Sequence, residues 1–107
     1  MIVDVRKYRI KAGCMADHLA IYEKYGLKPQ TRHLGPPLAY LVAETGELNT
    51  YIHMWVYESA GDREKKRAAM MADPEWQEYL KRNREAGYLE HQENTQMTPT
   101  SFAPIKR

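Results

Sequence analysis

Residues 48–57 (LNTYIHMWVY) hold the side chains best suited to chemistry, in a segment whose composition is typical of a β-strand. Side chains of a strand alternate between its two faces, so Asn49, His53 and Trp55 project to the same side. The imidazole of His53 could act as a general base near neutral pH, or donate a hydrogen bond while neutral. We therefore predict His53 as the catalytic residue of a small-molecule site, with a buried structural histidine as the alternative.

Neighbouring strand segments bring further aromatic and ionisable side chains to this face. The predicted substrate-binding residues are Arg6, Tyr8, Tyr40, Glu44, Asn49 and Trp55. In this hypothesis an apolar or aromatic molecule stacks on Trp55 and Tyr40. Asn49 and Arg6 then hold its carbonyl, phenolate or carboxylate group.

A purely structural use of the same residues is the alternative. Arg6 would pair with Asp4 or Glu44 in a buried network without chemistry, as part of a non-catalytic interaction or structural module. The two hypotheses differ in the cavity that they require. An enzyme needs a water-accessible cavity containing His53, whereas a structural module needs a dry one with every polar group paired.

Motifs for cofactors and metals are missing from the sequence. It contains no Gly-rich phosphate loop, no H-E-x-x-H motif and no motif for an activated nucleophile. The four histidines have no ligand-like spacing, and the one cysteine, Cys14, excludes an internal disulfide and a Cys-rich zinc site. We expect neither a metal nor a cofactor.

Charge and hydropathy limit the partners. The net charge of +2, from 16 basic and 14 acidic residues, lacks the basic excess of proteins that neutralise nucleic-acid phosphates. No segment approaches the roughly 20 apolar residues of a membrane span, and residues 1–10 do not resemble a signal peptide. We expect a cytoplasmic protein that binds neither nucleic acid nor membrane.

The elements that must position these side chains follow from local patterns. Residues 2–10 predict a strand, and an apolar stripe from Met15 predicts a helix that stops near Gly26 and Pro29. A loop over residues 30–37 then leads into the next strand. That strand, over 38–44, should form a hairpin with residues 48–57 through Thr45-Gly46-Glu47.

The second half of the chain predicts helices and a last strand. Residues 59–72 favour a helix, and a further helix begins at Asp73 as N-cap, with Pro74 in its first turn, and ends at Gly87. Residues 89–97 complete the order βαββαβ. This order indicates a single α+β domain over residues 1–107 with a ferredoxin-like, four-stranded antiparallel sheet.

In such a fold both helical regions cover one face of the sheet. We expect them to cover the face of Leu48, Ile52, Met54 and Val56. The face of Tyr51, His53, Trp55 and Tyr57 would then be exposed, and an aromatic patch of this size usually marks an interface. A second copy of the sheet would cover it, which predicts a homodimer through the sheet face with a barrel-like core and a small-molecule cavity.

The central segment resembles the NIPSNAP family. Its pattern E-x-G-x-L-N-x-x-x-H-x-W-x-Y is matched by Glu44, Gly46, Leu48, Asn49, His53, Trp55 and Tyr57. Further similar segments are VDVRKYRIKAG at 3–13, RHLG at 32–35, DPEW at 73–76 and PTSFAP at 99–104. The sequence departs from the family pattern at Asp4, where Glu is usual, and at Ala103, where Ser is usual.

The resemblance implies a dimeric α+β barrel and leaves the activity open. The wider group of such barrels includes cofactor-free monooxygenases, lactone isomerases and haem-degrading enzymes, whereas longer relatives are linked to vesicle trafficking and mitochondrial signalling. A fold does not determine a function. The resemblance therefore implies either a protein that binds or converts a small aromatic molecule, such as a cofactor-free oxygenase or isomerase, or a non-catalytic module.

Overall fold

The structure is a computed structural model that describes residues 1–105. Its strands are β1 (Ile2–Ile10), β2 (Ala39–Val42), β3 (Thr50–Tyr57) and β4 (Leu89–Met97). Its helices are α1 (Met15–Ile21), α2 (Leu27–Leu34), α3 (Ala60–Met71) and α4 (Pro74–Ala86), with a π-helical segment (Tyr22–Gly26) between α1 and α2. Among the described residues, none of the helices is both long and apolar enough to cross a bilayer.

The strands form one antiparallel sheet in the order β2-β3-β1-β4. The predicted ferredoxin-like α+β fold is therefore confirmed. The register places Arg6 of β1 opposite His53 on one side of β3, and Tyr40 of β2 opposite His53 on the other. Directly opposite residues share a face, so these three side chains are neighbours.

Side-chain caps set the start of both helices in the second half of the chain. Ser59 accepts a hydrogen bond from the Asp62 amide (3.1 Å), and Asp73 accepts one from the Glu75 amide (2.9 Å). Each cap satisfies an amide that has no partner within its helix. The predicted N-cap at Asp73 is confirmed, and so is the end of α4 at Gly87, whose φ of 66° suits a glycine.

The first helical region extends beyond the predicted stop. Helix continues through Gly26 and Pro29 to Leu34, so the predicted loop over 30–37 is wrong for residues 30–34. Pro29 lies near the start of α2, directly after the π-helical segment. The π-helical segment, with its wider turn, carries the chain from α1 into α2 without a break.

The hairpin between β2 and β3 is longer than the sequence predicts. β2 ends at Val42 and β3 begins at Thr50, so residues 43–49 form the connection. Asn49 has a φ of 65°, a left-handed conformation that interrupts strand alternation. The predicted face of this strand therefore begins at Tyr51.

The helices cover the opposite face of the sheet from the one predicted. Tyr51, His53, Trp55 and Tyr57 are all buried, whereas Ile52, Met54 and Val56 on the other face are half-buried. The buried core joins the aromatic face to helical side chains that include Tyr22, Trp76 and Tyr79. Both faces of β3 are largely apolar, so alternation alone could not decide between them. The aromatic face is thus filled within one chain, and the argument for a dimer through it fails.

Candidate functional site

A cavity of about 250 Å³ lies between the sheet and the helices. Its sheet wall is formed by β1, β2, β3 and β4, and its opposite wall by α2, α3, α4 and the π-helical segment. The lining side chains are Arg6, Tyr8, Tyr22, Gln30, Tyr40, Tyr51, His53, Arg67, Met71, Trp76, Tyr79, Leu80, Asn83, Leu89 and Gln92. Seven of these fifteen side chains carry an aromatic ring, which suits a planar ligand.

Five of the residues proposed from the sequence lie at or beside this cavity. Arg6, Tyr8, Tyr40 and His53 line it, and Trp55 is buried next to His53. Strand alternation and register bring them together, since they occupy one face of β1, β2 and β3. The structure thus groups this part of the proposed site, although it places the site beneath the helices.

Glu44 and Asn49 lie outside the cavity. Both belong to the connection between β2 and β3, where Glu44 is exposed and Asn49 is half-buried. The Asn49 carbonyl accepts a hydrogen bond from the Ile10 amide at 2.7 Å, which ties the turn to β1. The connection is longer than expected, so neither residue continues the strand face that carries His53.

His53 is held as a neutral hydrogen-bond donor. The Trp55 indole donates from Nε1 to His53 Nδ1 at 2.8 Å, and an indole nitrogen can only donate. Nδ1 is therefore the acceptor, and Nε2 carries the hydrogen of the neutral ring. Burial, reinforced by the charges of Arg6 and other basic groups, lowers the pKa of His53 to about 3. His53 is consequently a poor general base at neutral pH.

The Nε2 atom of His53 is buried and has no hydrogen-bond partner among the described residues. Two tyrosine rings enclose the imidazole. Tyr40 stacks on it at 4.8 Å between ring centroids, and Tyr8 meets it edge-on, also at 4.8 Å. A buried unpaired donor costs free energy, so such groups usually mark a binding or strained site.

Arg6 belongs to a buried charge network. Its guanidinium donates to the Tyr8 hydroxyl (2.9 Å) and to Asp4 (3.3 Å), and Arg63 contacts the same Asp4 oxygen at 3.2 Å. Burial alone lowers the pKa of Arg6, but Tyr8 and Asp4 outweigh burial and the pKa is raised. Arg6 therefore stays charged, and its partner is Asp4, while Glu44 is exposed in the hairpin connection.

The charges around the cavity are unbalanced. Arg6 and Arg67 line it, and none of the described lining residues is Asp or Glu. The carboxylate that pairs with Arg6 is Asp4, which is fully buried and shared with Arg63. Such a lining favours a neutral or anionic ligand over a cation. Among the described residues, no group of three or more His, Cys, Asp or Glu side chains could hold a metal.

Hydrogen bonds and ring contacts fix the tyrosines of the cavity. The Tyr22 hydroxyl donates to Gln30 at 2.5 Å, and His18 is 2.8 Å from the Tyr51 hydroxyl. Burial raises the pKa of Tyr22, Tyr40 and Tyr51 well above the usual range, so each stays protonated. The tyrosines can therefore serve as neutral walls and hydroxyl donors.

The helical wall was not predicted as part of the site. Trp76, Tyr79, Leu80 and Asn83 follow each other at helical spacing in α4, and this stripe could have indicated a second aromatic wall. The sequence instead suggested that it packs against the other face of the sheet. Gly26 allows α4 to pack closely against the π-helical segment, because a Cβ at this position would lie 2.8 Å from Tyr22 and 2.9 Å from Tyr79.

Comparison with known proteins gives a family match. The NIPSNAP family model matches residues 3–104, nearly the whole chain. No curated protein matches the sequence.

Two similar solved structures come from the same family. A NIPSNAP family protein of unknown function from Agrobacterium tumefaciens is 36% identical, with a TM-score of 0.91, covering 99% of this chain and 94% of its own. A NIPSNAP domain protein from Burkholderia xenovorans is 34% identical, with a TM-score of 0.91 over 98% of this chain and 100% of its own.

A more distant structure shares only the fold. It is a Chloroflexus aurantiacus protein named after antibiotic biosynthesis monooxygenases, 16% identical with a TM-score of 0.59 over 99% of this chain and 100% of its own. The domain architecture is therefore common to proteins with different names and sequences.

Proposed function

The chain belongs to the NIPSNAP family, and from that premise we propose that it binds a small planar molecule bearing an oxygen acceptor. The ligand lies in the cavity between sheet and helices, flanked by tyrosine rings. His53 donates to the ligand oxygen, and Arg6 stabilises negative charge on it. The binding unit is a single domain over residues 1–107, in the cytoplasm, where a free Cys14 would remain reduced.

The buried Nε2 hydrogen of His53 carries this proposal. Trp55 fixes the tautomer and burial keeps the ring neutral at neutral pH, so this cavity-lining imidazole carries its hydrogen on Nε2. Leaving a buried donor unpaired costs roughly 1–3 kcal/mol. A ligand oxygen at this position would recover that free energy, which gives the site a preference for oxygen-bearing ligands over hydrocarbons.

If the protein is an oxygenase or isomerase, the same geometry assigns His53 a role as hydrogen-bond donor. A neutral imidazole can stabilise an enolate or phenolate that develops as a proton leaves the substrate. Its low pKa makes it a poor acceptor for that proton. Binding is thus the better-supported function, and catalysis would need a base from elsewhere.

We also propose a homodimer, formed through the face of the sheet that the helices leave open. Val5, Ile52, Met54 and Val56 are half-buried there, and Leu41 and Met97 on the same face are 58% and 53% exposed. An apolar patch across adjacent strands is usually covered in solution. A second copy covers it with a closed two-fold interface.

The binding proposal is tested with 2-naphthoate, a planar carboxylate, by isothermal titration calorimetry. The matched variants are His53→Gln, whose amide can donate from the same position, and His53→Leu, which cannot donate. We expect His53→Leu to weaken binding about five- to 150-fold, equivalent to an unpaired group of roughly 1–3 kcal/mol. His53→Gln should retain most of the affinity.

Circular dichroism and thermal unfolding establish that both variants are folded before titration. Equal affinity in both variants would exclude His53 as the donor. If folded wild-type protein binds neither 2-naphthoate nor its neutral analogue 2-acetylnaphthalene, the cavity is structural. The interaction or structural module is then the better assignment.

A further inference from the structure

A second, apolar groove of about 270 Å³ lies beside the first cavity. It is lined by Leu19, Tyr22, Glu23, Leu27, Pro37 and Tyr40. These residues come from α1, the π-helical segment, the start of α2 and the approach to β2. Glu23 is its one charged lining residue among those described, and it is exposed.

The groove and the cavity share a wall. Tyr22 and Tyr40 line both spaces, and their rings stack at 5.2 Å between centroids with 23° between the planes. This ring pair is thus part of the wall that the two spaces have in common. The groove therefore adjoins the proposed ligand site at one pair of side chains.

The two rings differ in the backbone elements that carry them. Tyr22 is anchored by its hydrogen bond to Gln30 and by an edge contact with Tyr79 at 5.6 Å. Tyr40 stacks on Tyr51 at 5.6 Å and on His53 at 4.8 Å. It lies on β2, a strand of four residues at the edge of the sheet that pairs only with β3. A short edge strand gives way more easily than a central one, so movement of β2 is the way in which the two spaces join.

The sizes of the two spaces also favour joint occupation. Sites for drug-sized ligands usually measure roughly 300–1,000 Å³, and the cavity alone, at about 250 Å³, lies below that range. With the groove of about 270 Å³ included, the site falls within it. The charges also determine the orientation of a ligand that occupies both spaces, because Arg6 and Arg67 line the cavity whereas Glu23 lines the groove.

From this shared wall we infer that the ligand is amphipathic and occupies both spaces. Its planar, oxygen-bearing head occupies the cavity, and an unbranched apolar chain passes the Tyr22 and Tyr40 rings into the groove. The acidic or carbonyl group lies at the cavity end, since Glu23 would repel it from the groove. This inference depends on the proposed function, because the head must bind where His53 donates.

A series of 6-alkyl-2-naphthoates tests the inference, with the unsubstituted compound as reference. Calorimetry with the ethyl, butyl and hexyl derivatives measures the gain in affinity for each added methylene. A methylene moved from water into an apolar groove should strengthen binding about fourfold. Wild-type protein should therefore bind the hexyl compound at least a hundredfold more tightly than 2-naphthoate.

Groove variants distinguish binding of the alkyl chain in the groove from non-specific hydrophobic association with the protein. Leu27→Gln and Leu19→Gln each place a polar group in the groove, and either suffices if the other does not fold. We expect these variants to lose most of the gain in affinity with alkyl-chain length and to bind 2-naphthoate as tightly as the wild type. The matched control is Leu48→Gln, at a leucine that is 56% exposed in the hairpin connection and should not alter the gain.

Three results would overturn the inference. One is wild-type binding of 2-naphthoate with no gain along the series, which leaves the proposed function standing. Another is a gain that persists equally in the groove variants. The third is failure of every compound in the series to bind; if 2-acetylnaphthalene also fails to bind, the proposed function is overturned as well.

Discussion

The low pKa of His53 makes a prediction about stability in acid. When the protein unfolds, His53 regains an ordinary pKa of about 6.5, whereas in the folded state burial holds the pKa at about 3. Between these values the unfolded chain binds a proton that the folded chain does not. Folded-state stability is therefore unaffected well above pH 6.5 and is lost progressively as the pH falls towards 3.

The size of the effect follows from the two pKa values. At about 1.4 kcal/mol for each pH unit, the interval from about 6.5 to about 3 corresponds to a loss of about 5 kcal/mol. Domains are typically stable by roughly 5–15 kcal/mol, so this loss is a large part of the total. The protein should therefore be markedly sensitive to acid through this one side chain.

Urea unfolding at pH 7.5, 6.5, 5.5 and 4.5 measures the effect, with wild type compared against His53→Gln. The variant differs at pH 7.5 for packing reasons, so the informative quantity is the change in that difference with pH. We expect the wild type to lose about 1.4 kcal/mol more per pH unit below 6.5 than the variant. Other titrating groups, including His18 with its burial-lowered pKa, are common to both proteins and cancel. Parallel pH profiles would refute the assignment of a buried neutral His53.

Three further predictions concern the interface, the helix contact and the cap. Ile52→Arg, at the centre of the open face, should convert the proposed dimer to a monomer in sedimentation velocity. The control Val42→Arg, on the opposite face of β2, should leave the dimer intact, and a monomeric wild type would refute the dimer proposal. Gly26→Ala should lower the free energy of unfolding in urea by about 1–3 kcal/mol, because its Cβ would lie less than 3 Å from the Tyr22 and Tyr79 rings. The control is Gly61→Ala, whose Cβ would have no neighbour nearer than 3.9 Å, and equal effects of the two substitutions would contradict the close contact. Asp73→Ala should lower the thermal midpoint, because Asp73 caps α4 and contacts His33 and Arg32 at 2.8 Å. The control Glu64→Ala, at an exposed position of α3, should leave the midpoint unchanged, and an unchanged midpoint in Asp73→Ala would mean that the cap contributes nothing.

Strand alternation predicted most of the sheet side of the site. Arg6, Tyr8, Tyr40 and His53 share a face because of a periodicity that depends only on the backbone. Glu44 lies outside that face because β2 ends at Val42, and Asn49 because its φ of 65° interrupts the strand. Alternation was thus reliable within a strand and failed where the strand ended.

The choice of face could not be predicted from β3 alone. Ile52, Met54 and Val56 are as apolar as their neighbours, so both faces were suitable for helices to cover. The decision depends on the helices, since Tyr22, Trp76 and Tyr79 fill the space above the aromatic face. Such long-range complementarity has no local signature, and neither does the π-helical segment that places Tyr22 in the cavity wall.

Nuclear magnetic resonance of the His53 imidazole tests the proposed ligand contact most directly. Long-range ¹H–¹⁵N spectra of the free protein should show Nε2 protonated and Nδ1 unprotonated at pH 7, because Trp55 donates to Nδ1. On saturation with 2-naphthoate, the Nε2 hydrogen should move downfield as it binds the carboxylate, with Nδ1 little changed. A protonated Nδ1 in the free protein, or bound 2-naphthoate with an unchanged Nε2 hydrogen, would contradict the proposed contact.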